Sequence, residues 1–101
     1  MKISEFLKQK LYNFKNFLIE QTEHIQLEET KKNKLLMEIE LYENDINLFI
    51  KSIINIAKLN IDTAISIFLL NYDINIEDIR DKIDYDKLKR YITCFIEIVK
   101  N

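Results

Sequence analysis

The chain holds no glycine and no proline. Glycine supplies backbone at positive φ for tight turns, bulges and phosphate-cradling loops, and proline punctuates connections. Their absence excludes Gly-rich binding loops and glycine-turned hairpins. It leaves a chain that runs most easily as helices joined by Asn and Asp corners. Cysteine occurs once, as Cys94, so no intrachain disulfide can form and nothing points to an oxidising compartment. An excess of either charge is lacking too. The formal net charge is −2, far from the basic balance of a nucleic-acid binder and from the acidity of a DNA mimic. The longest apolar-rich run, Ile61 to Leu70, contains Asp62, Thr63 and Ser66 and is too short for a bilayer. Met1-Lys2-Ile3-Ser4-Glu5 leads into a charged amphipathic segment, not the apolar stretch of a signal peptide. The expectation is one soluble, cytoplasmic helical domain over 1–101, without membrane contact.

What is present is isoleucine and aromatic side chains: nineteen Ile and eleven aromatics, against alanine only at Ala57 and Ala64. Ile is a middling helix former because its χ1 is stiff, so packing rather than propensity must hold the helices. Phe, Tyr, Met, Ile, Asn and Lys make up 55 residues, and Gly, Ala, Arg and Pro make up 4. The first set has AT-rich codons. That points to a low-GC genome: a bacterium, one of its phages or plasmids, or an AT-rich eukaryotic parasite or large virus.

Apolar spacing gives the helices. Leu7, Leu11, Phe14, Leu18 and Ile25, with Phe6 and Phe17 alongside, mark one face of a first helix from about Ser4, its cap, to Ile25. Leu35, Ile39, Tyr42, Ile46, Phe49, Ile53 and Ile56 form an unbroken a/d seam, predicting a long second helix over about 30–59. In its second half only Asn47, Lys51, Asn55 and Lys58, with Ser52 beside them, form a polar arc, so neighbours must wrap it. Between the two stripes, Gln21 to Lys34 breaks the pattern. A continuous helix of about 80 Å is one reading, mildly favoured by the Glu28/Lys32 pair. The other, preferred on compactness, is a corner near Gln26 to Thr30 that folds helix 1 back as a hairpin.

Beyond Asn60 the elements shorten. Asp62 is the expected cap of a helix to Leu70, Asn71-Tyr72-Asp73 a turn, and Asn75 the cap of a short helix to Ile83. Asp84 caps a last helix with the stripe Tyr85, Leu88, Ile92, Phe95 and Val99, and the pairs Asp78/Lys82 and Asp86/Arg90 support these two helices. Alternation at Ile65/Ile67, Ile74/Ile76 and Ile96/Ile98 also fits strands. A lone hairpin without a glycine turn is marginal, so helix is preferred. The fold class expected is an all-α compact bundle of about five helices.

Chemistry is sparse. His24, the only histidine, has Glu20 and Glu23 near it, but Gln21 stands where a Glu-x-x-His pair needs its carboxylate. Cys94 lacks a base and an orienting partner and reads as a packing residue beside Ile92 and Phe95. Asp73, Asn75, Glu77 and Asp84 mimic four positions of a calcium loop, yet Asp78 occupies the place that needs glycine. Lys31, Lys32 and Lys34, or Lys87, Lys89 and Arg90, could touch phosphates, but the acidic Asn75 to Ile83 stretch would repel a groove, and nucleic acid is not the expected partner. No catalytic residue, metal or cofactor is expected. The remaining signal is excess apolar helix surface around Phe49, Ile50, Ile53, Ile54, Ile56 and Ala57. The leading expectation is therefore a non-enzymatic module that binds a protein: a small regulator or inhibitor of phage or mobile-element type. Tyr42, Asn47, Lys51, Tyr72 and Tyr85 are the expected contact residues, taken as exposed, since tyrosine is favoured at interfaces. A homodimer across the long-helix seam and a nucleic-acid-contacting subunit of a larger assembly are the alternatives.

Overall fold

The computed structural model describes residues 3–100. Along them run α1 (Ile3–His24), α2 (Glu29–Asn44), α3 (Ile46–Ile56), α4 (Ile61–Leu70), α5 (Ile76–Ile79), a 3₁₀ turn (Arg80–Lys82) and α6 (Tyr85–Lys100). No strand occurs among the described residues. Six helices stand where about five were expected, because the long second helix is two. All seven seam side chains, Leu35 to Ile56, are nonetheless buried. The seam therefore faces the chain's own core, and none of its side chains is left for a second copy.

The break falls at Asp45, with φ −140° and ψ 83°. Its backbone N–H ends α2 on the carbonyls of Leu41 and Tyr42, at 2.9 and 3.2 Å. Its carboxylate starts α3 by accepting the Leu48 N–H at 3.2 Å. Across the break the Tyr42 hydroxyl and Ser52 Oγ lie 3.1 Å apart. One residue thus closes one helix and opens the next while the seam keeps its register.

Two further corners place a non-glycine residue where glycine is usual. Gln26 has φ 53° and Asp73 φ 59°, the left-handed region that usually takes glycine. After α1, the Leu27 N–H reaches the Thr22 carbonyl at 3.2 Å and the Gln26 N–H reaches that of Glu23 at 3.3 Å. After α4, the Ile74 N–H reaches Leu69 O at 3.1 Å and the Asp73 N–H reaches Leu70 O at 3.1 Å. Both are Schellman closures, each followed by an apolar residue packed on the core. The α1/α2 hairpin is the preferred of the two sequence readings, and Lys15–Glu43 at 2.8 Å and Lys32–Glu23 at 3.9 Å fasten it. Because glutamine is strained at φ 53°, Gln26→Gly should raise stability by about 0.5–1 kcal/mol in a denaturant titration. A loss instead would show that the Gln26 side chain, not its backbone, matters.

Other caps divide between expectation and correction. Asn75 and Asp84 cap as expected, accepting the N–H of Glu77 at 3.0 Å and of Lys87 at 3.1 Å. The cap of α4 is Asn60, not Asp62: Asn60 Oδ1 accepts the Thr63 N–H at 2.9 Å. Ser4 lies within the first turn of α1 rather than capping it. The pairs Asp78/Lys82 and Asp86/Arg90 do not form among the described residues. Glu77–Arg80 at 3.6 Å and Lys89–Asp62 at 3.7 Å take their place.

The core is one cluster centred on rings. Phe95 is fully buried and meets Phe49 edge-on at 4.9 Å and Phe14 at 5.4 Å. From Phe14 the chain of contacts continues to Tyr91 at 5.3 Å and Phe68 at 6.2 Å, from Phe49 to Tyr42 at 5.2 Å, and from Phe68 to Tyr72 at 5.5 Å. α1, α2, α3, α4 and α6 each contribute a ring. The radius of gyration, 12.9 Å, is that of a fully folded chain of this length, about 13 Å.

Candidate functional site: a basic groove between the first and last helices

α1 and α6 meet through side chains rather than by close backbone approach. Lys87 Nζ lies 5.4 Å from the Phe17 ring, Tyr91 packs on Phe17 at 5.3 Å and on Phe14, and Phe95 packs on Phe14. As α6 ascends, α1 descends, so the two are antiparallel. Bulky rings at such a contact hold helix axes apart. On the outer side of this ring layer the gap remains open as a groove of about 320 Å³, lined by Lys10 and Asn13 of α1 and Lys87, Arg90, Tyr91, Cys94 and Phe95 of α6. The α6 members fall at helical spacing along one face. Cys94, half-buried and short, leaves the depth that a larger residue would fill.

Charge distinguishes this groove. Lys10, Lys87 and Arg90 enter it from two helices, no carboxylate lines it, and none of the three cations is in an ion pair among the described residues. Lys89, one turn aside, is held by Asp62. The open depressions along α6, along α2 and beside Ala57 each carry carboxylates, and the more enclosed pocket among Phe17, Leu27, Leu35 and Leu69 has no charged lining residue.

A second polar cluster fixes the start of α6 beside the groove. The Tyr85 hydroxyl donates to Asp62 Oδ1 at 2.6 Å, and the Arg80 guanidinium lies over the Tyr85 ring at 4.6 Å. Gln21 Oε1 accepts the Asp84 N–H at 2.9 Å, which ties α1 to the same corner. Burial, with the bond to Asp62, pushes the Tyr85 phenol up to about 12, and that bond, with Lys89 and Arg80 nearby, holds Asp62 below its ordinary value. Burial likewise raises the Tyr42 and Tyr72 phenols. The bond to Glu43 raises the Lys15 ammonium.

All four raised groups keep their protons longer folded than unfolded. Their contribution is fully present below pH about 10 and is lost as pH rises through each raised folded value, about 12 for Tyr85. The Asp62 contribution has the opposite sense: it is present above pH about 4 and lost as pH falls through the lowered folded value. Thermal melts should therefore hold steady through neutral pH and decline above pH 10. Tyr85→Phe should flatten part of that decline and weaken the acid-side term. Parallel curves for the two proteins would contradict the Tyr85–Asp62 bond.

Of the five contact residues expected from sequence, Tyr42 and Tyr72 are corrected: they are 6 % and 5 % exposed and belong to the core. Tyr42 is a member of the buried seam. Tyr72 lies four residues after Phe68, on the same side of the chain, and packs against that ring. Asn47 and Lys51 are exposed on α3, and Tyr85 is half-buried in its cluster; the groove contains none of the five. The excess apolar surface of α3 is also largely absorbed, since Phe49, Ile53 and Ile56 are buried and Ile50 and Ala57 pack on the core, leaving Ile54 49 % exposed. His24 is exposed, and no three metal-ligating side chains converge among the described residues. Asp73, Asn75, Glu77 and Asp84 serve as corner, ion-pair and capping groups. No described helix is long and apolar enough to cross a membrane. Comparison of the chain with protein-family models, with curated proteins and with solved structures finds no match.

Proposed function

We propose that the chain is a non-enzymatic interaction module, a small regulator or inhibitor that works by binding a protein in the cytosol, of the kind encoded by phages and mobile elements. The observation that carries this reading is the α1/α6 groove, which combines an apolar floor with three unpaired cations on its rim. Such a surface supplies area and charge complementarity for a partner without assembling a nucleophile, base or metal set. The link to mobile elements is supported by size and AT-biased composition.

A tagged pull-down from a lysate of the encoding organism, with and without nuclease, tests the reading. One stoichiometric protein that survives nuclease is expected. Reversing the groove charges with Lys10→Glu, Lys87→Glu and Arg90→Glu together should weaken its capture roughly 100-fold, from lost attraction and new repulsion on the rim. Recovery dependent on nucleic acid, or capture indifferent to these changes, would overturn it.

A further inference from the structure

We infer that the partner presents an acidic amphipathic helix, which lies along the α1/α6 groove with apolar anchors on the half-buried Tyr91 and Cys94 and carboxylates on Lys10, Lys87 and Arg90. The inference rests on the protein-binding reading above and specifies the chemistry of its occupant. Charge is the first argument. The groove gathers three cations from two helices and no carboxylate in a chain of net charge −2, so it concentrates attraction for an acidic segment. A long polyanion following α6 would run onto Asp86 and Glu97 on the adjoining face. A short acidic segment stays within reach of the cations.

Shape is the second argument. Two antiparallel helices leave a furrow parallel to their axes, and its lining positions recur each turn of α6, about every 5.4 Å. A guest helix repeats its i, i+4 anchors at the same interval. From Lys87 to Phe95 the furrow runs about 12 Å, two turns of a guest. The described residues include no strand whose edge could accept an extended peptide.

The test is a displayed library of amphipathic 15-residue helices selected on the whole chain, with two counter-selections: K10E/K87E/R90E and the milder K10Q/K87Q/R90Q, both checked for folding by circular dichroism. Enriched helices should carry carboxylates flanking apolar anchors. They should bind either variant at least tenfold more weakly and lose binding when Cys94 is alkylated with a bulky maleimide. Enrichment without negative charge, binding retained on the variants, no enrichment, or tighter binding of a 20-residue oligothymidylate would each overturn the inference. The natural partner separates the two claims. A captured protein that is lost on the variants but docks through an extended or basic segment sinks the acidic helix and spares the interaction module. Capture unaffected by the variants sinks both.

Discussion

Phe95→Ala should destabilise the chain by about 3–5 kcal/mol, the range for emptying a buried aromatic site. Phe95 is fully buried and is the ring through which α6 grips both α1 and α3, at 5.4 Å from Phe14 and 4.9 Å from Phe49. Its removal takes away burial and two edge-on contacts, each worth about 0.5–1.5 kcal/mol beyond area. A chain of this size has roughly 5–15 kcal/mol in total. The variant should therefore melt at least about 12 °C lower and lose the groove along with the packing of α6. Phe95→Leu should retain most of the loss. A shift below about 1 kcal/mol would mean that α6 is held by something other than the ring cluster.

The second large effect concerns Tyr72, for which the sequence and the structure give opposite outcomes. An exposed contact residue could be truncated with little change in melting temperature. At 5 % exposure and against the Phe68 ring, Tyr72→Ala should instead cost about 3–4 kcal/mol, as a large-to-small core change. Tyr72→Phe keeps the ring and should cost under about 1.5 kcal/mol, while leaving partner capture unchanged. If Tyr72→Ala melts normally yet loses the partner, the side chain lies on the interface after all.

The reason for that reversal is physical. Asn71-Tyr72-Asp73 is a turn by composition, and turns sit at the surface, but Asp73 takes the left-handed conformation and lets the chain close tightly under Phe68. Backbone exposure and side-chain burial then part company at Tyr72. At Tyr42 periodicity was the better guide: the same spacing that buries Leu35 and Ile39 buries Tyr42.

Periodicity also made the helices legible, because a side chain's place on a face depends only on nearby residues. It could not show the break at Asp45, since the seam spacing runs through it unchanged. The capping signal was present in Asn44-Asp45 three residues before Leu48, and Asp45 uses it. The groove was not legible, for another reason. Lys10 and Arg90 are far apart in sequence, and only the packing of Phe14 and Phe17 against Tyr91 and Phe95 brings their helices side by side. Even Gln21, which reads as a break in a stripe, is explained only when Asp84 arrives to donate its N–H.

Cys94 offers the most direct measurement of the account, because the chain's single thiol lines the proposed site. Its alkylation by N-ethylmaleimide should be timed in the free protein and in the complex with its captured partner. Alkylation should be at least tenfold slower in the complex. An unchanged rate, in a complex whose stoichiometry is verified, would place the partner elsewhere and contradict the groove as the site of function.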